Sequence, residues 1–95
     1  MSNEKLIEKK LRERVKKLGG WAVKFWAVNL VGFPDRVVLM PGGRISFVEL
    51  KSEGKKPTPR QLFVLDQLSK LGFAVYVIDN EEKLQNYLNE ISNAI

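Results

Sequence analysis

The chain has 95 residues, 44% of them hydrophobic, and a net charge of +5; these values suit one compact domain spanning residues 1–95 and argue against disorder. Cysteine and histidine are both absent, which excludes disulfides, thiolate zinc sites, cysteine nucleophiles, serine–histidine triads and imidazole-held metals. Any metal must therefore be held by oxygen, and any proton must move through Asp, Glu, Lys, Tyr or metal-bound water.

Residues 4–18 predict an amphipathic helix, with Leu11, Val15 and Leu18 on one face, Ile7 at its edge, and Gly19-Gly20 as the stop. Trp21 to Val28 is rich in β-branched and aromatic residues and reads as a strand, and Asn29 to Pro34 as a loop. Arg36 to Met40 and Ile45 to Lys51 read as two strands joined into a hairpin by Pro41-Gly42-Gly43. After a polar loop, Thr58-Pro59-Arg60-Gln61 has the form of a helix start: a capping threonine, proline at the first helical position and a glutamine three after the cap. That helix runs to about Leu71, and Phe73 to Ile78 is a short apolar strand. A last helix, capped by Asp79 or Asn80, aligns Leu84, Tyr87, Leu88 and Ile91. The order is αβββαβα, an α/β class chain without repeats or linkers. No long apolar run or signal segment appears, so a soluble cytoplasmic protein that does not engage the membrane is expected.

The chemistry concentrates in Pro34-Asp35, a gap of thirteen residues, and Glu49-Leu50-Lys51. Carboxylates are hard oxygen ligands suited to Mg²⁺, and such an ion activates water and neutralises charge growing on a phosphate. Alternate strand residues share a face, so Glu49 and Lys51 point the same way, with Val48 and Leu50 turned into the core. The hairpin brings the start of one strand beside the end of the next, so Asp35 should meet them at one end of the sheet. The bland reading of Glu49 and Lys51 is a surface ion pair.

Glu4 and Glu8 lie within about 40° of the apolar stripe of the first helix at roughly 100° per residue, and could reach the sheet end. The competing reading is favourable placement at a helix N-terminus. Gln61 either completes a capping box with Thr58 or faces the site. Lys24 is a phosphate contact or an outward-facing strand lysine. Trp21, Phe25 and Trp26 read as core or interface rather than base-stacking surfaces. Basic residues cluster over Lys9–Lys17 and again at Lys51, Lys55, Lys56 and Arg60, a balance that favours a polyanion partner or is simply a solvated face.

Gly32-Phe33-Pro34-Asp35-Arg36, Phe47-Val48-Glu49-Leu50-Lys51 and Pro57-Thr58-Pro59-Arg60-Gln61 together resemble the VRR-NUC (virus-type replication-repair nuclease) domain of the PD-(D/E)XK nuclease superfamily. The glutamate-bearing first helix, Gly19-Gly20 and Trp21 to Phe25 fit the same pattern, so the resemblance covers nearly the whole chain. It is nearest in look to the stand-alone forms carried by phages and prophages, which implies the cytoplasm of a bacterial host. The resemblance implies a restriction-endonuclease-like fold with a central mixed sheet flanked by helices. It implies Asp35, Glu49 and the Leu50 backbone carbonyl as ligands of Mg²⁺ or Mn²⁺. Lys51 would position the attacking water. Glu8 would be the helix-one acid and metal ligand, with Glu4 in reserve, and Gln61 the glutamine after the Glu-x-Lys strand. Lys24, Arg36, Lys55, Lys56 and Arg60 are the expected DNA contacts.

The expected activity is a metal-dependent DNA endonuclease acting as a homodimer on branched DNA, in the manner of a Holliday-junction resolvase. The alternatives are an inactive basic DNA-binding module, and a flap, nick or single-strand nuclease of the same chemistry. The expected subunit contacts are the Trp21–Trp26 strand and the face of Leu84, Leu88 and Ile91.

Overall fold

The computed structural model describes residues 3–93. Helix α1 (Asn3–Lys17) buries Ile7, Leu11 and Val15, a stripe at helical spacing. The helix ends before Leu18, which instead packs half-buried against the core from the following turn.

Strands β1 (Trp21–Lys24), β2 (Arg36–Met40), β3 (Arg44–Leu50) and β4 (Ala74–Ile78) form one sheet in the order β1-β2-β3-β4. The first two junctions are antiparallel and the third is parallel. Helix α2 (Pro59–Lys70) carries the chain across so that β4 can run beside β3 in the same direction. Gly42 and Gly43 close the β2–β3 hairpin at φ of 84° and 75°, values that side-chain-bearing residues rarely adopt.

Strand β1 is half the length expected from its composition. Its last ladder pair is Lys24 with Arg36, followed by one bond from the Phe25 N–H to the Asp35 carbonyl at 2.8 Å. The β1–β2 pairing runs no further, and Trp26 and the residues after it lie outside the strand. Phe25 to Pro34 is therefore one long loop.

Helices α1 and α3 (Glu81–Asn93) cover one face of the sheet. Ile7, Leu11, Val15, Leu84, Tyr87, Leu88 and Ile91 pack with Val38, Met40, Val48, Leu50 and Ile78 into the main core. The face of Leu84, Leu88 and Ile91, expected to join two subunits, is thus consumed inside the chain. Asn80 caps α3 by accepting the Lys83 N–H at 2.8 Å.

The other sheet face is covered less completely, by α2 through Val64, Leu65 and Leu68. Across it runs a file of rings, Phe25–Phe33–Phe47–Phe73, with successive centroids 5.2, 5.5 and 5.4 Å apart. The mixed four-stranded sheet with flanking helices has the αβββαβα order that the sequence predicts.

Candidate active site

The antiparallel register sets Arg36 opposite Val48. Asp35 therefore stands beside the Glu49–Leu50 end of β3, and its Oδ1 accepts the Leu50 N–H at 3.3 Å. Glu49 is almost fully buried under the start of α2, and Lys51 Nζ lies 3.6 Å from its Oε2. The two side chains share a face, as alternation along the strand predicts. They are not a solvated surface pair, because both are largely withdrawn from water.

Gln61 combines the two roles that its sequence position offered as rivals. Thr58 Oγ1 accepts the Gln61 N–H at 3.2 Å, and Gln61 Oε1 accepts the Thr58 N–H at 2.9 Å, which completes the capping box. The remaining Nε2 points into the site and donates to Glu49 Oε2 at 3.5 Å. A three-atom amide group makes this possible, since cap and site use different ends of it.

Burial raises the Asp35 carboxyl above its ordinary value, while the Leu50 N–H and the Arg36 guanidinium pull it back. Glu49 has less to hold its charge. Burial first, then repulsion from Asp35, push it up to about 7 against the attraction of Lys51. The repulsion between the two carboxylates thus falls on Glu49, and its Oε1 is buried without a hydrogen-bond partner. Two crowded carboxylates, one with an orphaned oxygen, fit a divalent cation bound by oxygen. A cation would satisfy Oε1 and cancel the repulsion together.

The chain's kinship agrees with this geometry. Residues 1–82 match the sequence profile of the VRR-NUC domain. The chain belongs to the VRR-NUC domain family. It is 47% identical over 79 residues to "Putative nuclease p44" of Acyrthosiphon pisum secondary endosymbiont phage 1, spanning 83% of this chain and 85% of that one. It is also similar to a solved structure described as "VRR_NUC domain", with a TM-score of 0.87 and 32% identity over 94% of this chain and 97% of the other. The protein is accordingly a nuclease by family, with a mixed sheet and flanking helices that match a VRR-NUC structure.

Two expectations about this VRR-NUC site change. Arg36, expected among the DNA contacts, is only 3% exposed and runs inward. Its Nη2 binds Glu8 Oε1 at 2.9 Å, so it serves α1 rather than a phosphate. Glu8, the expected helix-one acid, binds Arg36, and its charge helps to raise the Asp35 carboxyl. Glu8 does not, however, form a three-carboxylate cluster with Asp35 and Glu49. Among the described residues no three acidic side chains stand close enough to enclose a metal. The Arg36–Glu8 pair was legible only in part from sequence, since nothing local distinguishes Arg36 from an exposed strand arginine.

Lys24, Lys55, Lys56 and Arg60 are exposed, as a phosphate-facing role requires. The basic run on α1 is less available. Glu81 of α3 binds Lys10 at 3.0 Å and Arg14 at 2.7 Å, while Arg12 and Lys9 stand 3.9 Å from Glu8 and Glu13.

Proposed function

We propose that this VRR-NUC protein, residues 1–95 acting as one domain, is a divalent-metal-dependent DNA endonuclease that cuts branched DNA as a homodimer. The observation that carries the proposal is the buried Asp35–Glu49 pair, with an unpartnered Glu49 oxygen beside Lys51. Asp35, Glu49 and the Leu50 carbonyl would hold Mg²⁺ or Mn²⁺. The ion, when bound, supplies the activation of water and the neutralisation of phosphate charge.

The chain's own groups do the rest. Lys51 directs the attacking water and meets the negative charge growing on the phosphate. Gln61 fixes Glu49 through its Nε2 while its other end is locked into the α2 cap. Arg36 holds Glu8 and, from behind, favours the charged form of Asp35. Lys24, Lys55, Lys56 and Arg60 receive the strand on either side.

The proposed subunit contact lies on the part of the α2-bearing sheet face that α2 leaves open. Trp21, Leu39 and Ile45 are exposed, and the register places them side by side across β1, β2 and β3. A two-fold pairing through this row would bury apolar surface and present two equivalent sites to two opposed strands of a four-way junction.

The test is cleavage of four-way junction, flap, plain duplex and single strand, each with Mg²⁺, Mn²⁺ or EDTA. Metal-dependent cutting that favours the junction is expected. Equal cutting of all four would leave a general nuclease, and no cutting under any condition would overturn the catalytic reading.

A further inference from the structure

The loop from Phe25 to Pro34 leaves apolar side chains in water beside the site. Trp26 is 85% exposed, Val28 78% and Val31 75%. These residues form the wall of a cleft of about 310 Å³, and Asp35 is part of the same wall. Whatever enters the cleft comes to Asp35, one of the two site acids.

The loop backbone is held in place. The Phe25 N–H is bound to the Asp35 carbonyl, and the Phe33 ring packs between Phe25 and Phe47. Arg60 Nε donates to the Val31 carbonyl at 3.0 Å. Gly32, at φ of 88°, sits so near Arg60 that a Cβ there would come within 2.9 Å of its Cγ. The backbone is thus tied to β2 and α2 while the indole of Trp26 stays free. Two cations belong to the same region of the chain: exposed Lys24 immediately precedes the loop, and exposed Arg60 is bound to it at Val31.

An exposed indole in a cleft lined by Asp35, on a loop preceded by one cation and bound by another in a chain of net charge +5, matches one ligand chemistry. Bases stack on aromatic rings whatever their identity, and the adjoining phosphates meet the basic groups. A fully paired duplex keeps its bases stacked on one another and has none to offer. We propose that the cleft beside Asp35 binds one unstacked nucleobase of the DNA, with the Trp26 indole as its stacking surface. The inference rests on the nuclease reading and adds a selection rule to it: the enzyme engages DNA where a base next to the cut is unpaired or can leave the stack.

The test uses the full chain with Trp21→Phe, which leaves Trp26 as the sole indole. The probes are a short single-stranded oligodeoxynucleotide, a duplex carrying one unpaired base and the fully paired duplex, all in EDTA so that no strand is cut. Trp26 emission should be quenched by the first two and little changed by the third. On the wild-type background, Trp26→Ala should weaken binding to the first two about tenfold to a hundredfold and to the paired duplex less than about twofold. Trp26→Phe should restore much of the loss.

Absence of quenching, or equal loss on paired and unpaired DNA, would overturn the inference. So would a fall in mass by light scattering for Trp26→Ala, which would make the loop a contact with a second copy. A wild type that cuts DNA with no effect of Trp26 removes only this inference. A wild type that neither binds nor cuts DNA removes the nuclease reading with it.

Discussion

Glu49 should cost the metal-free protein stability at neutral pH. Its carboxyl, ordinarily near 4.5, is raised to about 7 in the fold by burial and by Asp35. The unfolded chain releases this proton at the ordinary value. Between those two values the folded state holds a proton that the unfolded state has lost, so stability falls as pH rises through the window and stays reduced above it. Each tenfold difference in proton affinity between the two states is worth about 1.4 kcal/mol, which makes the full effect about 3 kcal/mol. Glu49→Gln keeps the shape and removes the charge, but leaves Lys51 without its partner at 3.6 Å. The raised value already includes the attraction of Lys51, so the variant should gain about the full 3 kcal/mol, a rise in Tm of about 15 °C for a domain of this size.

The assay is thermal unfolding in EDTA from mildly acidic to mildly alkaline pH, followed by titration with Mg²⁺ or Mn²⁺. The gain should shrink toward acid, where Glu49 is protonated in the wild type. The metal should stabilise the wild type and not the variant, because only the wild type keeps the charged ligand pair. A Glu49→Gln protein no more stable than wild type in alkaline EDTA, or a gain that persists unchanged in acid, would refute the reasoning.

Asp35→Ala should abolish cleavage while DNA affinity stays similar or rises, since a carboxylate that repels phosphate is gone; cleavage and filter-binding assays on the same preparation check this. Lys51→Ala should lower turnover by at least about a hundredfold, with metal binding by calorimetry preserved. Glu8→Ala should destabilise by about 3 kcal/mol, because Arg36 would be left buried without its anion, whereas Glu4→Ala should stay within about 0.5 kcal/mol; urea unfolding of the two variants distinguishes the helix-one acids. Thr58→Ala should cost about 1 kcal/mol of stability through the lost cap. It should also lower turnover, because Gln61 is anchored by the same cap.

Much of this protein is written locally. The helices follow from apolar residues at helical spacing, and the hairpin from a Pro-Gly-Gly turn between two β-rich runs. The capping box follows from Thr58-Pro59-Arg60-Gln61. Glu49 and Lys51 share a face because strand side chains alternate, and Asp35 joins them because hairpin pairing is antiparallel. These features depend on the backbone's own periods and hydrogen-bonding needs, which a sequence carries directly.

What the sequence did not determine concerns residues whose local pattern suits two environments. Leu84, Leu88 and Ile91 form an apolar stripe whether it meets a second subunit or the chain's own sheet; only the packing of α3 on that sheet decided it. Trp26 follows a β-rich run, yet β1 ends at Lys24 and the indole is left in water. Arg36 reads as a surface cation until α1 closes over it and supplies Glu8. Gln61 can cap and still reach Glu49 only because α2 starts above the end of β3. Each of these outcomes depends on which distant element arrives opposite the residue, and burial of charge or apolar surface takes its sign from that neighbour.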